Sequence, residues 1–184
     1  MVITDCDSFS FIRRFLNMHE YVRNFLFAIL FLLLPIVTKA QLSLLGPHIG
    51  ISEVARATVL GIKFEEGISN AGPGTIGGSA KLDYYSWTAD LVQTYLLITA
   101  SMNYHLRLDD SPSFDPFLGV GLGYLYETNK YPASAGVTYY DNNGSGLHFI
   151  LSIGARYFLS PGFALRLEFG SSQVYAVGGF DFGF

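Results

Sequence analysis

Nearly every apolar residue beyond Gln41 recurs at every second position rather than every third or fourth, and the two faces this creates are unequal. Alternation at period two is the signature of strands whose faces meet different surroundings. Over 146–159, Leu147, Phe149, Leu151, Ile153, Ala155 and Tyr157 oppose His148, Ile150, Ser152, Gly154, Arg156 and Phe158. Over 163–170, Phe163, Leu165, Leu167 and Phe169 oppose Ala164, Arg166, Glu168 and Gly170. The same division separates Leu118, Val120, Leu122, Tyr124 and Tyr126 from Phe117, Gly119, Gly121, Gly123 and Glu127, and Leu60, Ile62 and Phe64 from Gly61, Lys63 and Glu65. One face is large and apolar; the other is expected to alternate glycine with charge.

The pattern predicts eight strands, at 43–52, 58–69, 75–87, 92–107, 115–128, 146–159, 163–170 and 174–184. Breakers fall between them at Asn70-Ala71-Gly72-Pro73-Gly74, Asp109-Asp110-Ser111-Pro112-Ser113 and Ser160-Pro161-Gly162. The longest connection is 129–145. Eight strands in an antiparallel up-and-down meander can close into a barrel, and two barrels satisfy the pattern. In a soluble lipocalin-like barrel the apolar face lines a cavity. In a transmembrane barrel it meets lipid and the charges fill the lumen. Small residues on the polar face suit a narrow lumen. Tyr84, Tyr104, Tyr124, Tyr126 and Tyr157, toward the ends of the apolar stripes, suit an interfacial girdle. The expectation is therefore an all-β, eight-stranded transmembrane barrel, closed because hydrocarbon offers no partner to a free sheet edge.

The N-terminal region agrees with export. Arg13, Arg14 and Arg23 precede an apolar run from Phe25 to Val37, and Thr38-Lys39-Ala40-Gln41 follows. A positive segment, an apolar core of about 13 residues and a small-residue site read as a cleaved signal peptide over 1–40, with Met18 as an alternative start. The run is short of the roughly 20 residues a membrane-spanning helix needs, and Pro35 interrupts its end. The exported domain is then 41–184. The sole cysteine, Cys6, precedes the apolar run, so that domain has neither disulfides nor thiolate chemistry. It carries 7 Lys and Arg against 12 Asp and Glu, dispersed along the chain, which argues against nucleic acid as a partner.

The candidate functional residues follow from the faces. His48, Lys63, Glu65, Lys81, Asp83, Arg107, Arg156, Arg166, Glu168 and Asp181 are expected in the lumen. In so narrow a barrel they would form a salt-bridge network and a plug rather than a pore. Of the three histidines after position 41, His48 and His148 are expected inward. His148 lies near Ser145, but Asn143-Gly144-Ser145-Gly146 is not a nucleophile motif, and a hydrolase needs serine, histidine and acid within reach. Asp141-Asn142-Asn143-Gly144 lacks the spacing of a calcium loop. Gly119-Val120-Gly121-Leu122-Gly123 alternates inside a strand and is no phosphate loop. No cofactor, metal or catalytic residue is expected. Tyr131, Tyr139, Tyr140, Asp141 and Asn142 make the long connection a candidate recognition loop.

The last strand ends Phe180-Asp181-Phe182-Gly183-Phe184, with three aromatics on one face. It resembles the closing strand of bacterial outer-membrane barrels, and 114–124 and 154–166 are similar to the small porin-like OmpA/OmpX-type family. The resemblance implies a protein of the Gram-negative outer membrane and is nearly silent on activity; the residues, which offer no catalytic set, are read as those of a non-enzymatic monomer. The resemblance also implies that Phe180, Phe182 and Phe184 are an insertion signal read by the barrel-assembly machinery. The short turns would be periplasmic and the 129–145 connection external, with its partner unidentified. The other functions the residues leave open are a small barrel carrying a lipophilic ligand and a lipid-modifying hydrolase.

Overall fold

The structure, a computed structural model, describes residues 43–52, 57–88, 92–108, 113–130, 140–141, 144–171 and 174–184. The expected signal segment 1–40, Met18, Tyr131, Tyr139 and Asn142 lie outside these.

The described residues form β1 (Ser43–Ser52), β2 (Thr58–Ala71), β3 (Gly74–Thr88), β4 (Val92–Leu106), β5 (Phe114–Lys130), β6 (Tyr140–Asp141), β7 (Gly146–Ser160), β8 (Phe163–Gly170) and β9 (Val174–Gly183). All but β6 make one antiparallel meander. β4 pairs with β5, β5 with β7, and β1 closes the sheet against β9. The result is a closed eight-stranded barrel with no unpaired edge. β6 lies beside the end of β5, Asn129 opposite Asp141 and Lys130 opposite Tyr140. The connection expected as loop from residue 129 therefore begins as a short ladder. A polar clasp holds it: the Glu127 amide donates to Ser145 Oγ (2.9 Å), and Asn129 Nδ2 donates to Glu127 Oε1 (2.9 Å).

Ser43, Phe184 and the described short turns share one end of the barrel, where the Gly183 amide bonds the Gly162 carbonyl and the Phe184 amide the Ser43 carbonyl. The β2–β3 turn is tighter than the five-residue breaker suggested. Ala71 pairs directly with Gly74, leaving two residues to reverse the chain. Gly72 at φ 56° permits it, since a side chain there would be strained.

The faces settle which barrel this is. Leu118, Leu122, Leu147, Phe149 and Ile153 are each more than half exposed, whereas Asp83, Arg156 and Asp181 are at most 2% exposed. A continuous apolar belt outside and charges inside is the inverse of a soluble barrel, and a soluble monomer does not expose such a belt. The inner face departs from the expected alternation of glycine and charge. At the loop end it carries an apolar cluster of Ala57, Val59, Tyr85, Tyr95, Leu97, Leu125, Val174 and Val177. The Tyr85 and Tyr95 rings stack at 4.8 Å.

Candidate functional site

Below that cluster, toward the chain termini, the lumen is ionic. Parity alone turns the charged side chains of β2, β3, β7, β8 and β9 inward, but register sets like charges side by side. Lys63 is directly opposite Lys81, and Arg156 is opposite Arg166. Such pairs repel. Each is relieved by one acid. Glu168 takes Lys63 Nζ on Oε2 (2.9 Å) and Lys81 Nζ on Oε1 (3.1 Å). Asp181 takes Arg156 Nε on Oδ2 (2.6 Å) and Arg166 Nε on Oδ1 (3.0 Å). Arg156 also meets Glu65, its Nη1 donating to Oε1 at 2.9 Å while its Nη2 lies 2.8 Å from Oε2 as an ion pair. Phe117 lies under both the Lys63 ammonium and the Arg156 guanidinium, 4.8 and 5.2 Å from the ring centre.

Two histidines complete the network. His48 Nε2 meets Asp83 Oδ1 at 2.5 Å, and its Nδ1 faces the Arg166 guanidinium at 3.4 Å. His105 has a carboxylate on each side, Glu65 on Nε2 (2.6 Å) and Asp115 on Nδ1 (2.9 Å). One connected network results. Lys63, Lys81, His105, Arg156 and Arg166 face Glu65, Asp83, Asp115, Glu168 and Asp181.

Inner glycines make room for this crowding. A Cβ on Gly61 would run into His48 Nε2 and Asp83 Oδ1, and one on Gly154 into the Phe117 ring.

The structure brings His48, Lys63, Glu65, Lys81, Asp83, Arg156, Arg166, Glu168 and Asp181 together inside the barrel. Arg107 is not among them. β4 ends at Leu106, and Arg107 is exposed and bonded to Asn70 Oδ1 (3.2 Å). Its parity was right for a strand that no longer exists at that position. His105 and Asp115, absent from the expected set, are inside. So is Asn103, which donates to Glu65 Oε2 (2.6 Å) and Ser79 Oγ (3.2 Å). Parity with Phe117 and Gly119 marks Asp115, and parity with Asn103 marks His105. His148 shares the inner face with Ile150 and Arg156 and is half-buried. Ser145 Oγ is engaged in the clasp at Glu127. Tyr140 and Asp141 form β6. Phe180, Phe182 and Phe184 are exposed, and Phe163 of β8 packs on the first two at 5.8 and 5.2 Å.

Residues 57–182 match the family described as outer membrane protein beta-barrel domain. The chain belongs to this family. Among solved structures, this outer-membrane barrel resembles the N-terminal β-barrel domain of Pseudomonas aeruginosa OprF. The TM-score is 0.55 at 12% identity, covering 80% of this chain and 100% of that one. It also resembles a de novo designed transmembrane β-barrel, with TM-score 0.54, 13% identity and coverage of 80% and 98%. Identities this low speak to fold alone. No curated protein matches the sequence.

Proposed function

We propose that this barrel is a non-enzymatic integral outer-membrane protein whose lumen is closed to ions, acting structurally or at the cell surface through its 129–145 connection. The observation that carries this reading is the pairing of a buried ion-pair network with the apolar cluster at the loop end. An ion crossing the lumen would have to separate buried pairs and then pass through an apolar layer, each costly. Engagement of Ser145 with the Glu127 backbone argues against a nucleophilic role for that serine. On this reading 1–40 is removed on export. The aromatic face of β9 serves the barrel-assembly machinery, outer-membrane lipid surrounds a monomer, and the clasp at Glu127 holds the base of the recognition loop outside the cell.

The test is conductance. Protein reconstituted into a planar bilayer should show no stable unit current. A steady, ion-selective channel would refute the closed lumen. Faster gel migration without heating, lost on boiling, should accompany membrane extraction.

A further inference from the structure

The ladder that closes the barrel has a gap inside it. β1 and β9 keep one register from Leu44 opposite Gly183 to Ile51 opposite Ala176, yet Gly46 and Pro47 have no partner in β9. Proline is the reason. In the wall of an antiparallel barrel, successive residues of a strand send their hydrogen bonds alternately to one neighbour and to the other. The Ser52 amide donates to Ala57 on the β2 side, whereas the Ser43 carbonyl accepts from Phe184 on the β9 side. Even-numbered residues of β1 therefore bond to β2, and odd-numbered residues to β9. Pro47 is odd, so the amide hydrogen it lacks is one that the closing ladder needs. The alternation in β9, fixed by the Gly183 amide on the Gly162 carbonyl, points the Phe180 carbonyl at β1, where Pro47 has no hydrogen to offer. That carbonyl lies against Gly46, and a Cβ there would run into it. Proline is otherwise confined to sheet edges and bulges, and a carbonyl without a donor is costly within a membrane.

Side chains do little to hold the same ladder. Leu44, His48 and Ile49 face Gly183, Gly179 and Gly178, and Gly50 faces Val177. A glycine supplies no cross-strand packing. The far wall differs: β3 pairs with β4 without a break from Gly74 to Thr88, and β4 with β5 from Val92 to His105. We propose that the β1–β9 seam is a lateral gate, at which these two strands part while the other ladders stay closed, and that parting begins at Pro47. Behind the gap stands Asp181, the acid that holds Arg156 and Arg166. Parting thus admits water to the ionic network from the side, whether or not the lumen conducts along its axis.

The experiment is hydrogen–deuterium exchange on membrane-extracted protein in phospholipid nanodiscs, resolved by backbone amide. β9 carries its own control. The amides of Gly178, Phe180 and Phe182 face the seam, and those of Gly179 and Asp181 face β8. The first set should exchange at least about tenfold faster than the second. In β1, Leu45 and Ile49 should likewise outpace Gly46 and His48. Pro47→Val restores the missing donor and should slow the seam amides about tenfold, leaving the β4–β5 ladder unchanged. Equal exchange on the two sides of β9, full protection of the seam amides, or seam exchange unaltered in a folded Pro47→Val barrel would overturn the proposal. The wild-type comparison decides it even if Pro47→Val fails to fold.

Discussion

Glu168 is the acid that two facing lysines share, and its removal is the sharpest probe of the lumen. Glu168→Gln keeps the shape and deletes the charge that meets Lys63 at 2.9 Å, Lys81 at 3.1 Å and Arg166 at 3.2 Å. At about 3 Å and an effective dielectric near 20, each contact contributes about 5 kcal/mol of Coulomb energy before desolvation is subtracted. Most of that is offset by the cost of burying the ions, and breaking a buried pair by removing one partner costs about 3–5 kcal/mol net. We expect a loss of that size for Glu168→Gln. Lys81→Met should cost less, about 1–3 kcal/mol, because Glu168 keeps Lys63 and Arg166. The double variant relieves the Lys63–Lys81 repulsion that the single acid variant exposes, so the two losses should fall short of additivity by about 1–3 kcal/mol. Stability is read from denaturant titration in phospholipid vesicles. The reporter is the fluorescence of Trp87, the only tryptophan in the chain, at the loop end of β3. A Glu168→Gln barrel within about 1 kcal/mol of wild type, or strictly additive single variants, would show that the network does not hold these cations as described.

Further outcomes test the faces and the ends. Leu167, 51% exposed, and Arg166, 3% exposed, are neighbours with opposite environments. Leu167→Arg should cost about 2–4 kcal/mol if Leu167 lies near the bilayer midplane, and wild-type stability at a depth confirmed by fluorescence quenching would contradict a lipid-facing β8. Arg166→Leu should destabilise by leaving Asp181 and Glu168 short of a partner, with a penalty that does not depend on bilayer thickness. Gly61→Val should lose about 1–3 kcal/mol in the same titration by displacing the His48–Asp83 contact, and a neutral result would mean the lumen has slack there. Deleting Phe182–Phe184 should reduce the fraction of chains inserted in cells more than it reduces refolding in vesicles; equal effects would argue that these residues pack rather than signal.

The division between what the chain reveals linearly and what needs three dimensions follows the range of the interactions. Strand positions come from local rules, and β1 and β8 have the bounds that alternation predicts, because period two and breakers such as Ser160-Pro161-Gly162 act over a few residues. The same rule sorts Leu167 from Arg166, since successive side chains cannot share a face. It fails at Arg107, because parity has no meaning beyond Leu106, where the ladder stops. Partner choice is not local. That Glu168 joins the neighbouring Glu65 on Lys63 depends on β2 and β8 facing one another across a closed lumen, 105 residues apart in sequence. The carboxylates that meet His105, Glu65 and Asp115, converge from two other strands. The apolar cluster at the loop end escaped notice for a related reason. Val59, Leu97 and Leu125 look like further apolar strand residues until closure shows that they share the lumen with the charges and fill its other end. Alternation determines that there are two faces. Only closure of β1 onto β9 determines which residues meet across the inner one, because side-chain contacts across a barrel are set by register and curvature, which no short stretch of sequence contains.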